Sequence, residues 1–333
     1  MHLRPLVTGL TVGFMSLLLL QISALTQEPP ANTDVKDGWV ADRTPWGDPD
    51  LQGIWSSKTQ TPLERPDNLA DREFLTDDEV STLEQQTREN PGRDERSERG
   101  TVADVEGAYN DIFSTFFGAT VVETGRTSLI VDPPDGRVPH TAEAKARLDK
   151  QAARRRATSE VADGPEDRPS DRCTGWSLPC TSPLCAFSRI VQTPGAVTLY
   201  YESGHWGGAY RTIPLDERPH LPSHVRQWFG DSVGRWESDT LVVDTTNFSA
   251  QTSFQGSNED MHLVERFTRV NSDLILYGAT IEDPTTFSRP WTIEMTWSRP
   301  AEGQQLIFES ACHEGNYALT SILAGARALE TTR

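Results

Sequence analysis

Near its C-terminal end the chain reads "SACHEGNYALTSILAGAR", Ser310 to Arg327. Within six residues, Cys312, His313, Glu314 and Tyr317 bring together a thiol, an imidazole, a carboxylate and a phenol. His313 and Glu314 suit acid–base work, because imidazole titrates near neutrality and an adjacent carboxylate can orient it. The preceding "QLIFESACH" reads as a strand. Alternation places Ile307, Glu309, Ala311 and His313 on one face, with Phe308, Ser310 and Cys312 on the other. Gly315 then permits a turn, and Tyr317 offers a polar tip to a substrate. A plainer reading competes: Asn316 caps the last helix, Tyr317 packs, His313 satisfies a carbonyl and Cys312 is a disulfide staple.

A second group lies in "YESGHWGGAYR". Glu202 and His205 repeat the carboxylate–imidazole pairing, and Trp206, Tyr210 and Arg211 would contact a substrate at the mouth of a pocket. The alternative is a hairpin that exposes Trp206 as an interaction point. In "HLVERFTRV", Glu265 shares a face with Leu263 and Phe267, while His262, Val264, Arg266 and Thr268 share the other. A carboxylate among apolar neighbours needs a partner, and Arg266 points away from it. Arg211, Arg269 or Arg289 must serve, and Glu265 joins the substrate-contacting candidates. His220 and His224 are four apart, but Pro222 between them limits the segment to a helix start, and a surface turn is expected. With no HExxH, GxSxG, phosphate-binding glycine loop or GxGxxG, no metal and no cofactor is expected, and the serine-hydrolase, NTPase and dinucleotide-dependent classes fall away.

The elements that must position these residues divide the chain. "LTDDEVSTLEQQTREN" reads as a helix capped by Thr76, and "TAEAKARLDKQAARRRATSE" as a second capped by Thr141. Trp46, Leu51, Ile54 and Trp55 read as anchors for an irregular lead-in. From Ser188 onward the period is two, clearest in "PWTIEMTWS", where Trp291, Ile293, Met295 and Trp297 face one way. Further strands are expected in "SLIVD", "AVTLYYES", "AYRTIPL", "WESDTLVVDTTNF", "HLVERFTRV", "DLILYGATIED" and "QQLIFESACH". Successive strands with short connections predict a mainly β fold, an antiparallel lipocalin-like barrel with N-terminal helices and a C-terminal helix. A β-sandwich is the alternative. The expected organisation is a signal peptide over 1–24, an N-terminal arm over 25–172 and the β domain over 173–333, the last two as one compact unit.

The signal rests on Arg4, the uncharged and largely apolar run Leu6 to Leu20, and the small-residue site Ile22-Ser23-Ala24. An uncleaved anchor is the alternative, but the run is short for a span, so no stable membrane insertion is expected. Cleavage removes Arg4 and no acidic residue, taking the net charge from −18 to −19. That acidity excludes a nucleic-acid partner, which needs clustered Lys and Arg. The one basic run, Lys150 to Ala157, reads as a solvated helix face. In an exported chain four cysteines predict disulfides with three possible pairings. The pairing expected is Cys180 with Cys185 and Cys173 with Cys312.

"PWGDPDLQGIW", "RTIPLDERPHLP", "GDSVGRWESDTLVVDTTNF", "HLVERFTRV", "IEDPTTFSRPW" and "ACHEGNYALTSILAGARA" together resemble a family of exported bacterial proteins. These stretches span Pro45 to Ala328. The resemblance implies export, to the periplasm or beyond, and one β-rich unit, and it assigns no activity and no site residue. The combined expectation is an exported enzyme performing cofactor-independent acid–base chemistry (as a lyase, isomerase or hydrolase) on a small, partly apolar molecule. The alternatives are a non-catalytic small-ligand-binding barrel of the cell envelope and a structural partner. Convergence of His and carboxylate groups inside the fold would favour the enzyme. An aromatic and apolar interior with the imidazoles outside would favour the binder.

Overall fold

Trp291, Ile293, Met295 and Trp297, the clearest alternation in the sequence, are all buried on one face of a single strand. The computed structural model describes residues 39–89, 101, 120–157, 172–173, 177–181, 187–202, 209–300, 307 and 311–330. Ten strands are described: β1 Gly53–Ser56, β2 Ile130–Asp132, β3 Phe187–Thr193, β4 Ala196–Glu202, β5 Ala209–Pro214, β6 Asp231–Glu237, β7 Thr240–Thr246, β8 His262–Asn271, β9 Leu274–Glu282 and β10 Trp291–Ser298. Three α-helices accompany them: α1 Asp77–Glu89, α2 Ala142–Ala157 and α3 Ala318–Glu330.

The strands form one antiparallel sheet in the order β5-β4-β3-β1-β10-β9-β8-β7-β6, with β2 added alongside β10. The sheet rolls until its two end strands meet. No ladder joins β5 to β6 among the described residues, and side chains fill the seam instead. A Cβ built on Gly234 of β6 would lie 2.7 Å from Ile213 Cγ2 and 2.8 Å from Leu215 Cδ2. The architecture is therefore the mainly β, antiparallel sheet expected, but where the expected barrel would close by backbone pairing, this roll is held at the seam by packing. It is one continuous sheet rather than the two stacked sheets of a sandwich. Gly234→Val should overpack the seam and cost about 1–3 kcal/mol, read as a lower denaturant midpoint at unchanged slope.

Three differences from the sequence reading have local causes. The arm does not merely decorate the sheet: β1, four residues around Trp55, inserts between β3 and β10. It is too short to display a period. "WESDTLVVDTTNF" is not one strand but the hairpin β6–β7, turning at Ser238, which adopts φ 54°. β10 is buried on both faces, and along its edge β2 pairs with it and the Glu294 amide donates to Leu129 O at 2.8 Å. Its outward Glu294 and Thr296 are buried as well as its inward residues.

The helix caps agree with the reading. Thr76 Oγ1 accepts from the Glu79 amide at 3.3 Å while Glu79 Oε2 accepts from the Thr76 amide at 2.8 Å, a reciprocal capping box. Thr141 Oγ1 accepts from the Ala144 amide at 3.1 Å. Of the expected anchors, Leu51 and Trp55 are fully buried, Ile54 is half-buried and Trp46 remains 37% exposed. On α2, Lys150 and Arg154 are exposed. Residues 1–24 and most of "QLIFESACH" lie outside the described residues.

Cys173 and Cys312 form a disulfide across 139 positions of sequence. Cys180 is also disulfide-bonded, and Cys185, its expected partner, lies outside the described residues. Among the described residues no helix is long and apolar enough to cross a membrane.

Candidate functional site

Inward positions on six strands supply a polar network to the interior of the roll. Alternation sends Arg211 of β5, Tyr201 of β4, Ser232 of β6, Thr245 of β7, Glu265 of β8 and Tyr277 of β9 to the buried face. Arg211 Nη2 and Glu265 Oε2 form an ion pair at 2.5 Å, not aligned as a hydrogen bond. The Tyr277 hydroxyl donates to Glu265 Oε1 at 2.9 Å. Arg211 Nη1 donates to Ser232 Oγ at 3.4 Å, and Ser232 shares a 3.0 Å hydrogen bond with Thr245. The Tyr201 ring lies 6.0 Å from the Arg211 guanidinium carbon.

This network sits among aromatic rings. Tyr277 stacks on Trp297 with centroids 5.3 Å apart, and Phe267 meets Trp297 edge-on at 5.4 Å. Burial pushes both phenols up, Tyr277 well above the ordinary tyrosine value, and the Glu265 charge adds to the effect. Both therefore stay protonated and can donate. Burial works against the Arg211 charge, but Glu265 outweighs it and keeps the guanidinium protonated. Several buried polar atoms find no hydrogen-bond partner among the described residues. They include Arg211 Nε, the indole nitrogens of Trp236, Trp291 and Trp297, and Ser188 Oγ.

A second constellation decorates the outside of the sheet at the end where β6 and β8 begin. His220, in the segment between β5 and β6, places Nδ1 3.0 Å from Asp231 Oδ2 and Nε2 3.0 Å from Asp244 Oδ1. His262 of β8 places Nε2 3.1 Å from the same Asp244 oxygen and Nδ1 3.5 Å from Glu282. Arg218 and the Leu221 amide also donate to Asp231, and Asn247 Nδ2 donates to Leu221 O. Each ring faces a carboxylate at both nitrogens. For His262, an imidazolium, donor at both nitrogens, satisfies that arrangement and a neutral ring does not.

The electrostatics follow from these contacts. The hydrogen bond to Asp244 raises His262 above the ordinary histidine value, against the effect of burial. Burial pushes the Asp244 carboxyl up, but His262 and His220 outweigh it and hold it below the usual range. Asp231 behaves alike, with Arg218, the Leu221 amide and His220 opposing its burial. A raised histidine stabilises the fold fully below its unfolded value and loses that contribution as pH rises through the folded one. Depressed carboxylates lose theirs only as pH falls below their unfolded values. The cluster should contribute most between about pH 4 and pH 6.5. His262→Gln should flatten the alkaline decline in a melting-temperature profile. The change should stay below about 1 kcal/mol, because the ring is 37% exposed and the pair is screened.

The sequence-predicted residues separate. Arg211 and Glu265 come together, Arg211 being one of the three partners considered for that carboxylate. Glu202 ends β4, half-buried, within electrostatic range of Lys58. Tyr210 is 72% exposed on the outer face of β5. His205 and Trp206 lie outside the described residues. Cys312 to Gly315 form a turn rather than a strand end. His313 and Glu314 in it are exposed, and Tyr317 is 75% exposed. Tyr201 and Tyr277 escaped the sequence reading although both fall on apolar faces of their strands. Asp231 and Asp244 escaped it, and His220 was read there only as part of a surface turn, because the three meet only through strand register and the return of the β5–β6 segment.

No family model matches the chain, and no curated protein matches it. Among solved structures, an asparagine-to-alanine point mutant of the fluorescent protein UnaG aligns with 40% of this chain and 86% of its own, at 14% identity and a TM-score of 0.25. Wild-type UnaG aligns with 34% of this chain and 72% of its own, at 15% identity and a TM-score of 0.22. Likeness of this size carries no functional argument, and the reading that follows rests on the chain's own residues.

Proposed function

We propose that this protein is an exported binder of a small, partly apolar molecule, held within the rolled sheet. The observation that carries the reading is the set of N–H donors, buried in an aromatic interior, that find no hydrogen-bond partner among the described residues. A buried donor left without an acceptor costs about 1–3 kcal/mol, so a chain that keeps several in one interior gains when a ligand engages them. Support also comes from the placement of charge. His220 and His262 stand outside with their carboxylates, while the interior holds a balanced ion pair among rings. A rolled path of nine strands also has more room than the eight that side chains alone fill. Calorimetric titration of the mature protein with naphthalene, an apolar probe, tests the reading. Saturable binding at about one site per chain is expected for an interior site of this kind, and absence of binding would contradict it.

Acid–base catalysis is the second reading, favoured by the His220–Asp244–His262 chain on the rim. It ranks behind binding because both imidazoles are engaged at each nitrogen and half open to water. Export is part of the proposal, consistent with the Cys173–Cys312 bridge and with the leader's sequence. Mass spectrometry of protein recovered from its host should show a mature start near Leu25. An intact residue 1–24 segment on cytoplasmic protein would remove this part.

A further inference from the structure

We propose that the ligand is a neutral, ring-bearing molecule presenting a carbonyl-type oxygen, that Arg211 Nε is its principal donor, and that carboxylates are disfavoured. This rests on the binding reading and adds the chemical class.

The first argument is donor count. On the inner face, the nitrogens unpartnered among the described residues, Arg211 Nε and the indole N–H groups of Trp236, Trp291 and Trp297, are all donors only. Ser188 Oγ can act either way. Glu265 Oε2 has its ion-pair contact with Arg211. The other buried side-chain atoms without a partner among the described residues, Arg126 Nε and Glu294 Oε1, are not part of this network; Glu294 lies on the outward face of β10. A ligand that satisfies this interior must therefore bring acceptors. Water is a poorer match near Trp297, whose ring is flanked by Phe267 and Tyr277, because a buried water needs two to four polar partners.

The second argument is charge. Arg211 is already compensated by Glu265, and Tyr201 and Tyr277 are neutral donors. A carboxylate would add a second negative charge beside Glu265 with no uncompensated cation beside it among the described residues, where buried charge needs a partner. A ketone, quinone, lactone or amide oxygen takes the same hydrogen bond without that cost. The third argument is shape. Phe267, Tyr277 and Trp297 present stacked and edge-on faces within 5.0–5.4 Å of one another, which favour a flat ring.

Three probes of one ring system separate the terms: naphthalene, 2-acetylnaphthalene and 2-naphthoate, each titrated calorimetrically into the mature protein at neutral pH. The ketone should bind about 10–100-fold more tightly than naphthalene, the span of one hydrogen bond to a charged donor. The naphthoate should bind more weakly than naphthalene. In the apolar triple variant Arg211→Met/Glu265→Leu/Tyr277→Phe, the ketone and naphthalene should bind within about threefold of each other, since the principal charged donor is gone. Equal affinities for ketone and naphthalene in the native protein would overturn the inference and leave the binding reading standing. A tightest-binding naphthoate would also overturn it, showing that Arg211 exchanges Glu265 for an incoming anion. Binding of none of the three would overturn both.

Discussion

Arg211→Met should destabilise the protein by about 3–5 kcal/mol, and the apolar triple Arg211→Met/Glu265→Leu/Tyr277→Phe should recover most of that loss. Arg211 and Glu265 are 6% and 1% exposed, and their charges meet at 2.5 Å. Removing one partner strands the other in the interior, where water cannot reach it. Removing both, along with the hydroxyl that uses Glu265 as acceptor, leaves apolar groups of similar volume and no stranded charge. Methionine suits the Arg211 site because its flexible chain fills irregular gaps. Urea unfolding of the native, single and triple forms provides the measurement. If the single variant is as stable as the native protein, Glu265 has another partner and the network does not organise the interior.

Loss of the Cys173–Cys312 bridge is the second large effect. The bridge spans 139 positions and encloses β3 to β10. In the unfolded chain it removes the freedom of a long loop, a contribution of about 2–5 kcal/mol that grows slowly with loop length. Cys173→Ser/Cys312→Ser should therefore melt well below the native protein, by roughly 5–15 °C if the native domain follows the usual entropy scaling. Reduction of the native protein should produce a similar shift, and the double variant should then be less sensitive to reductant. An unchanged melting temperature would show that the sheet alone holds its ends together. It would also leave the turn at His313 and Glu314 without an evident structural purpose.

The sequence made the strands legible wherever one face is buried and the other wet. "PWTIEMTWS", "HLVERFTRV" and "AVTLYYES" became β10, β8 and β4 because alternation is a direct readout of burial on one side. Capping chemistry likewise marked α1 and α2. What stayed hidden depends on neighbours distant in sequence. β1 owes its place to pairing with β3 and β10, and so short a strand cannot announce that. The buried Glu265 was legible as a carboxylate needing an arginine, but the choice among Arg211, Arg269 and Arg289 waited on which strands meet at the seam. Arg269 instead donates to backbone oxygens of Asp50, Asn271 and Ser272, and Arg289 pairs with Asp132. The rim cluster was the least legible. Asp244 and His262 sit on the outer faces of adjacent strands, yet His220 reaches Asp244 only because its segment returns across β6 and β7.

Binding within the rolled sheet is the central claim, and the nine tryptophans give it a direct readout. With tryptophan labelled at the indole nitrogen, the mature protein should show separate N–H resonances, assignable by single Trp→Phe replacements. Adding 2-acetylnaphthalene should move the Trp297 signal and saturate near one equivalent, while exposed Trp46 stays put. Indole signals that all remain stationary up to the solubility limit of the probe would contradict the account.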